Sequence, residues 1–211
     1  GGMMPPGQNV QGQPGQAPDR GEDQNAPRAF DSKFRDVSRD AWYFDAVSFV
    51  NQKNWMRGDD EDTFSPDGAL TRAMFVTILY RLENEPQVDK STGFSDLEDQ
   101  SYYETAVCWA TENQIVTGAD KTTFSPNEPI TREQMAAILY RYAAYKGMDT
   151  AADETADYTD SSSISDYAKP CVNWAGQHKI MTGDDKGSFL PGGTATRVEA
   201  ASVLMRISQI S

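Results

Sequence analysis

The chain has 211 residues, room for one sizeable domain or several small repeats. With 19 Lys and Arg against 32 Asp and Glu its net charge is −13, which argues against a nucleic-acid binder, because phosphates need a basic face. No apolar run approaches the ~20 residues of a membrane span, and two cysteines, Cys108 and Cys171, do not make a disulfide framework; whether they pair is left open by the sequence.

In chain order, residues 1–30 are rich in Gly, Pro, Gln, Asp and Asn and poor in large apolar side chains. Such a segment cannot offset its ordering entropy by burial and reads as a flexible linker or tail. Its first residues, Gly1 to Pro6, carry neither a basic nor an apolar signal-peptide region, so the chain is expected to be a piece of a longer protein.

From Phe34 the sequence repeats itself three times, over residues 34–82, 94–143 and 158–207. Each copy opens with an aromatic-x-Asp segment ending in Asp36, Asp96 or Asp160, and the aspartate is a plausible cap ahead of a helix. An aromatic follows: Trp42, Tyr102 or Tyr167. A first helix is then predicted, with apolar residues such as Ala46, Val47 and Val50 in copy one, Ala106, Val107 and Trp109 in copy two, and Cys171, Val172 and Trp174 in copy three. It is predicted to end near Trp55-Met56, Ile115-Val116 and Ile180-Met181, with Gly58, Gly118 or Gly183 as the left-handed residue beyond. The glycines recur with one spacing of 60 residues (118 − 58) and one of 65 (183 − 118). A loop through Phe64, Phe124 or Phe189 to a proline follows, and the phenylalanine is expected to plug the loop onto the core.

The second helix of each copy opens on Thr-Arg: Thr71-Arg72, Thr131-Arg132 and Thr196-Arg197, at the same two spacings. Apolar residues at offsets of three, four and seven mark one amphipathic face, for example Met135, Ile138, Leu139 and Tyr142. Threonine is predicted as the N-cap, with Gln134 and Glu199 completing capping boxes that Met74 cannot. An arginine in the first turn is opposed by the helix dipole. Three at one position point to something anionic in front of each helix: a ligand carboxylate, or a structural partner such as Asp36, Asp96 or Asp160 of a neighbouring copy.

No catalytic residue set is legible. There is one histidine, His178, and no nucleophile elbow, phosphate-binding loop or zinc-protease motif. Cys171 aligns with Ala46 and Ala106 and reads as a core thiol. The acidic run Asp59-Asp60-Glu61-Asp62 fits neither register of a calcium loop and reads as a solvated turn. No metal site and no cofactor are predicted.

The aromatic-x-Asp opening, the Glu112-Asn113-Gln114-Ile115-Val116-Thr117-Gly118 run, the Phe-Ser-Pro turn and Ile130-Thr131-Arg132-Glu133 together resemble the S-layer homology (SLH) motif, in three tandem copies. The resemblance implies an all-α fold: three helix-loop-helix repeats packed in a pseudo-threefold bundle with grooves between neighbours. It implies binding of an anionic secondary cell-wall polysaccharide, commonly pyruvylated, at the bacterial cell surface, with no membrane insertion. Arg72, Arg132 and Arg197 match the family's key arginine. Asp36, Asp96, Asp160, Trp42, Tyr102, Tyr167, Gly58, Gly118 and Gly183 are taken with them as candidate ligand contacts. The family's Thr-Arg-Ala-Glu pattern is departed from at Met74 and Gln134, and its usual isoleucine before Thr-Arg at Ala195. The Arg132 groove has the most complete local pattern. The alternative is a protein–protein or surface-layer self-assembly module, with other surface-layer subunits as partners and the arginines structural. An enzyme whose catalytic part lies outside this chain would still use it as an anchor.

Overall fold

A computed structural model describes residues 33–89, 91–153 and 155–210; the tail expected over residues 1–30 lies outside them. The described residues are all-α, with six helices: α1 (Phe44–Gln52), α2 (Arg72–Leu82), α3 (Glu104–Glu112), α4 (Arg132–Tyr145), α5 (Lys169–Gln177) and α6 (Arg197–Ser208). Two short 3₁₀ turns, Ser161–Ser163 and Asp166–Ala168, precede α5. None of these helices is long and apolar enough to cross a membrane.

The second helices start as predicted. Thr71, Thr131 and Thr196 are extended N-caps whose hydroxyls accept from the N–H of Met74, Gln134 and Glu199. Capping boxes close at Gln134 and Glu199. The first helices start differently. Their N-cap positions are Tyr43, Tyr103 and Ala168, with no side-chain cap, so Asp36, Asp96 and Asp160 are not helix caps.

The first helices also stop earlier than predicted, and not at glycine. The left-handed residues are Asn54, Gln114 and Lys179, with φ of 59°, 59° and 56°. Trp55, Ile115 and Ile180 then donate back to Val50, Ala110 and Ala175 at 2.8–2.9 Å, the long bond of a Schellman ending. Gly58, Gly118 and Gly183 lie four residues further on and are needed for space. A Cβ on Gly118 would sit 2.3 Å from a ring carbon of Phe94 and 2.4 Å from the carbonyl oxygen of Asp120.

The repeats bury their apolar faces against one another. α2 packs on α3, α4 on α5 and α6 on α1, so the second helix of each repeat meets the first helix of the next, and the last repeat returns to the first. The segments just before the second helices meet at the centre of this cycle. Ile130 donates to Leu70, Ala195 to Ile130 and Leu70 to Ala195, at 2.8, 2.9 and 3.3 Å. All three side chains are buried, which explains why apolar residues stand directly before the polar Thr-Arg pairs. Phe64, Phe124 and Phe189 have no exposed surface and pack, with rings tilted by 45–48°, against Phe34, Phe94 and Tyr158 of their own repeats. Full burial of such a ring contributes about 1.5–3 kcal/mol. Trp109, Trp174 and Cys171 are core residues, and Cys108 and Cys171 are both free and buried.

Candidate functional site

The three Thr-Arg arginines occupy one environment. Each reaches into the loop of the next repeat in the cycle. Arg72 Nε donates to the Phe124 carbonyl at 3.1 Å and Nη2 to that of Thr117 at 3.2 Å. Arg132 does the same to Phe189 and Thr182, at 2.8 and 3.1 Å. Arg197 closes the cycle on Phe64 and Arg57, at 2.7 and 2.6 Å. Each guanidinium also lies over the ring whose carbonyl it binds, 4.6–5.0 Å from the centroid. Where an anion was expected in front of each helix, the partners common to all three arginines are a pair of carbonyl oxygens and an aromatic face; a carboxylate is added at Arg132 (Glu199, 3.2 Å) and Arg197 (Asp59, 3.9 Å).

The aspartates work on the same loops from the other side. Asp36 accepts from the N–H of Phe64 and Ser65, Asp96 from Phe124 and Ser125, and Asp160 from Phe189 and Leu190, all at 2.8–2.9 Å. These bonds hold Ser65, Ser125 and Leu190 in the left-handed region directly before a proline, where non-glycine backbone is strained. Hydrogen bonds from Phe189 and Leu190 hold the Asp160 carboxyl below its ordinary range. Among the described residues none of the three aspartates lies within ion-pair distance of the arginines; both bind the phenylalanine between them.

The helix N-termini are closed to a ligand by the same packing. The N–H of Arg72, Arg132 and Arg197 goes to the carbonyls of Glu128, Gly193 and Gly68. The N–H of the next residue goes to Pro126, Pro191 and Pro66, and the threonine takes the third. Backbone donors at these helix starts are therefore not available to an anion.

What is open lies beside the arginines. A groove of about 610 Å³ is walled by Arg72, the Val116–Ala119 strip, Gln134 and Arg141 of α4, and Tyr167 of the third repeat. Another of about 430 Å³ is walled by Arg132, the Ile180–Asp184 strip, Glu199 and Arg206 of α6, and Trp42 of the first repeat. Each groove therefore draws on all three repeats. Trp42, Tyr102 and Tyr167 remain 67%, 58% and 53% exposed. Burial raises the Tyr167 phenol above its ordinary value and Glu133 adds to this, against the opposing pull of Arg72 and Arg141. Burial lowers Arg72, with Tyr167 opposing and Arg141 adding. Arg141, which sequence reading missed, thus shares a field with Arg72 and Tyr167. The signal was present: Arg81, Arg141 and Arg206 recur at the same two spacings as the Thr-Arg pairs. Among the described residues, no group of His, Cys, Asp or Glu is arranged to hold a metal ion.

A family model described as "S-layer homology domain" matches residues 33–74, 93–136 and 157–201. The chain is 35% identical over 172 residues to an endoglucanase of Bacillus sp. (strain KSM-635), covering 81% of this chain and 18% of that protein. It is 29% identical over 175 residues to an S-layer protein of Bacillus thuringiensis subsp. finitimus, covering 82% and 21%. It is 32% identical over 116 residues to a cellulosome-anchoring protein of Acetivibrio thermocellus, covering 51% and 25%. The chain spans a quarter or less of the length of each.

Proposed function

The chain belongs to the S-layer homology domain family, a module of cell-surface, wall-associated proteins, and from that premise we propose that it binds an acidic wall polysaccharide in its inter-repeat grooves. Residues 34–82, 94–143 and 158–207 act as one composite, pseudo-threefold unit that holds a larger surface protein on the bacterial wall. It performs no chemistry on the glycan. The observation that supports this reading most directly is the pairing, in each groove, of arginines with an exposed aromatic ring from a different repeat: Arg72 and Arg141 with Tyr167, Arg132 and Arg206 with Trp42. A guanidinium meets a carboxylate, such as that of a pyruvate ketal, in a charge-assisted fork. An aromatic face receives the apolar face of a sugar ring. The net charge of −13 opposes an acidic polymer, so binding depends on these local cations. Several grooves on one polymer add avidity.

A self-assembly module with structural arginines is the second reading, favoured by the engagement of the Thr-Arg arginines with carbonyl oxygens. Substituting those arginines would disturb both binding and packing. Tyr167 and Trp42 separate the readings, because they are exposed and join no inter-repeat hydrogen bond. The test is co-sedimentation of the chain with isolated wall sacculi, before and after mild acid removal of pyruvate, together with Y167A and W42A. Wall binding predicts loss on acid treatment and weakening in both variants. Sedimentation indifferent to all three would move the function to self-assembly.

A further inference from the structure

The two grooves differ at several positions, and one of these changes the charge directly beside the Thr-Arg arginine: the third residue of the second helix. In the Arg132 groove it is Glu199, whose Oε1 lies 3.2 Å from Arg132 Nη1. With Nε and Nη2 on carbonyl oxygens, all three nitrogens of that guanidinium are engaged. Its companion Arg206 is tied to the Ile180 carbonyl at 3.0 Å. In the Arg72 groove the same position is Gln134, which is neutral. Among the described residues Arg72 Nη1 has no partner, and Arg141 makes no hydrogen bond or ion pair. Arg72 is only 8% exposed, so its unengaged nitrogen belongs to a largely desolvated cation at the groove wall.

We propose that this position sets the charge selectivity of each groove: the Arg72–Arg141 groove takes the carboxylate-bearing sugar, and Glu199 fills the anion's place in the Arg132 groove, leaving it to a neutral sugar. The inference rests on the wall-glycan reading and divides the work among the grooves. Its physical basis is that a carboxylate entering beside Glu199 meets two like charges, Glu199 and Asp184, and a guanidinium already neutralised, while one entering beside Gln134 meets two cations, with the exposed Glu128 as the carboxylate of that lining and no ion pair from it to either arginine among the described residues.

The position is open to exchange. Gln134 and Glu199 close the same capping box, each accepting from its own threonine N–H, at 3.1 and 3.2 Å. Q134E and E199Q therefore keep the helix start while moving the charge. The probes are the 4,6-pyruvate ketal of methyl glucoside and its methyl ester, of nearly the same shape but uncharged. The readout is the amide resonances of Thr117–Ala119 for one groove and of Thr182–Asp184 with the Trp42 indole for the other. In the unaltered chain the acid is expected to move the first set with at least tenfold higher affinity than the second, and the ester to show no such preference. Q134E and R141A should each weaken the acid's effect on the first set about tenfold or more, and E199Q should bring the second set into response. The proposal is overturned if the acid moves neither set, moves both equally, or is indifferent to residues 134 and 199. Sedimentation with walls would then still stand or fall by itself, since it tests binding and not its division among grooves.

Discussion

Arg72 and Asp96 hold the same residue from opposite sides: Arg72 takes the carbonyl oxygen of Phe124 at 3.1 Å, and Asp96 takes its N–H at 2.9 Å. The arginine comes from the preceding repeat and the aspartate from the same one. Phe189 is held in this way by Arg132 and Asp160, and Phe64 by Arg197 and Asp36. Each loop that walls a groove is thus fixed by its own repeat and keyed to its neighbour, so groove shape and repeat packing are one property.

The aspartate half of this grip predicts a local cost. Asp96→Ala removes a charged acceptor from two N–H groups and releases Ser125 from its left-handed conformation. Charge-assisted bonds contribute about 1.5–3 kcal/mol each, and the strain relieved offsets part of the loss, so we expect destabilisation of about 3 kcal/mol. Urea unfolding measures the total, and hydrogen exchange should rise first at the amides of Phe124 and Ser125. Unchanged protection there would show that the clamp does not order the loop.

Arg197→Ala tests the closure of the cycle. It strips donors from the carbonyls of Phe64 and Arg57, at sequence separations of 133 and 140 residues. An orphaned acceptor costs about 1–3 kcal/mol when buried; the Phe64 contact is half-buried and the Arg57 contact exposed, so a loss of about 1–2 kcal/mol is expected. Arg197→Lys should recover little, because an ammonium cannot reproduce the two-pronged contact or the stacking on Phe64. A denaturation midpoint matching the unaltered chain would mean that the last repeat does not depend on the first.

Acid should weaken the fold in a defined window. Bonds from Phe189 and Leu190 lower the Asp160 carboxyl, and bonds from Thr63 and Asp62 lower Asp60 to about 2. A carboxylate whose folded value lies below its unfolded value of about 3.9 stabilises the fold above that pH, and loses the contribution as pH falls through the folded value. The melting temperature should therefore be nearly flat above pH ~5 and drop steeply below pH ~4. Asp160→Asn should lower stability at neutral pH and make the acid limb shallower; a limb of unchanged steepness would remove Asp160 from the account.

Lys179→Gly should stabilise. Lys179 is exposed and left-handed at the end of α5, a conformation that costs a non-glycine residue about 1–2 kcal/mol. Part of that is offset by the unfolded-state entropy of glycine, leaving an expected gain of about 1 kcal/mol in thermal or urea unfolding. Loss of stability would show that the lysine side chain contributes contacts worth more than the strain.

How much of this was legible depends on range. Thr131 and Gln134 could be read because a capping box needs only residues three apart. Phe124 could be read as a plug because a large ring in a polar loop has nowhere to go but the core. Gly118 was misassigned because glycine is the usual left-handed terminator, and the sequence does not show that the ring of Phe94 lies against its backbone. The partners of Arg72 were out of reach because they are carbonyl oxygens, which every residue carries and no residue type advertises. Arg141 was missed for a different reason. Its recurrence as Arg81 and Arg206 is plain in the sequence, but it falls late in a helix, where an arginine also suits the dipole and draws no notice.

The triangle of bonds among Leu70, Ile130 and Ala195 has a topological consequence. Every seam between repeats is made by the same kinds of contact, and one of the three joins the last helix to the first. The assembly has no structural beginning. A circular permutant opened in the connector between α2 and α3, with its original ends joined, would keep all three seams and change only which of them the peptide chain crosses.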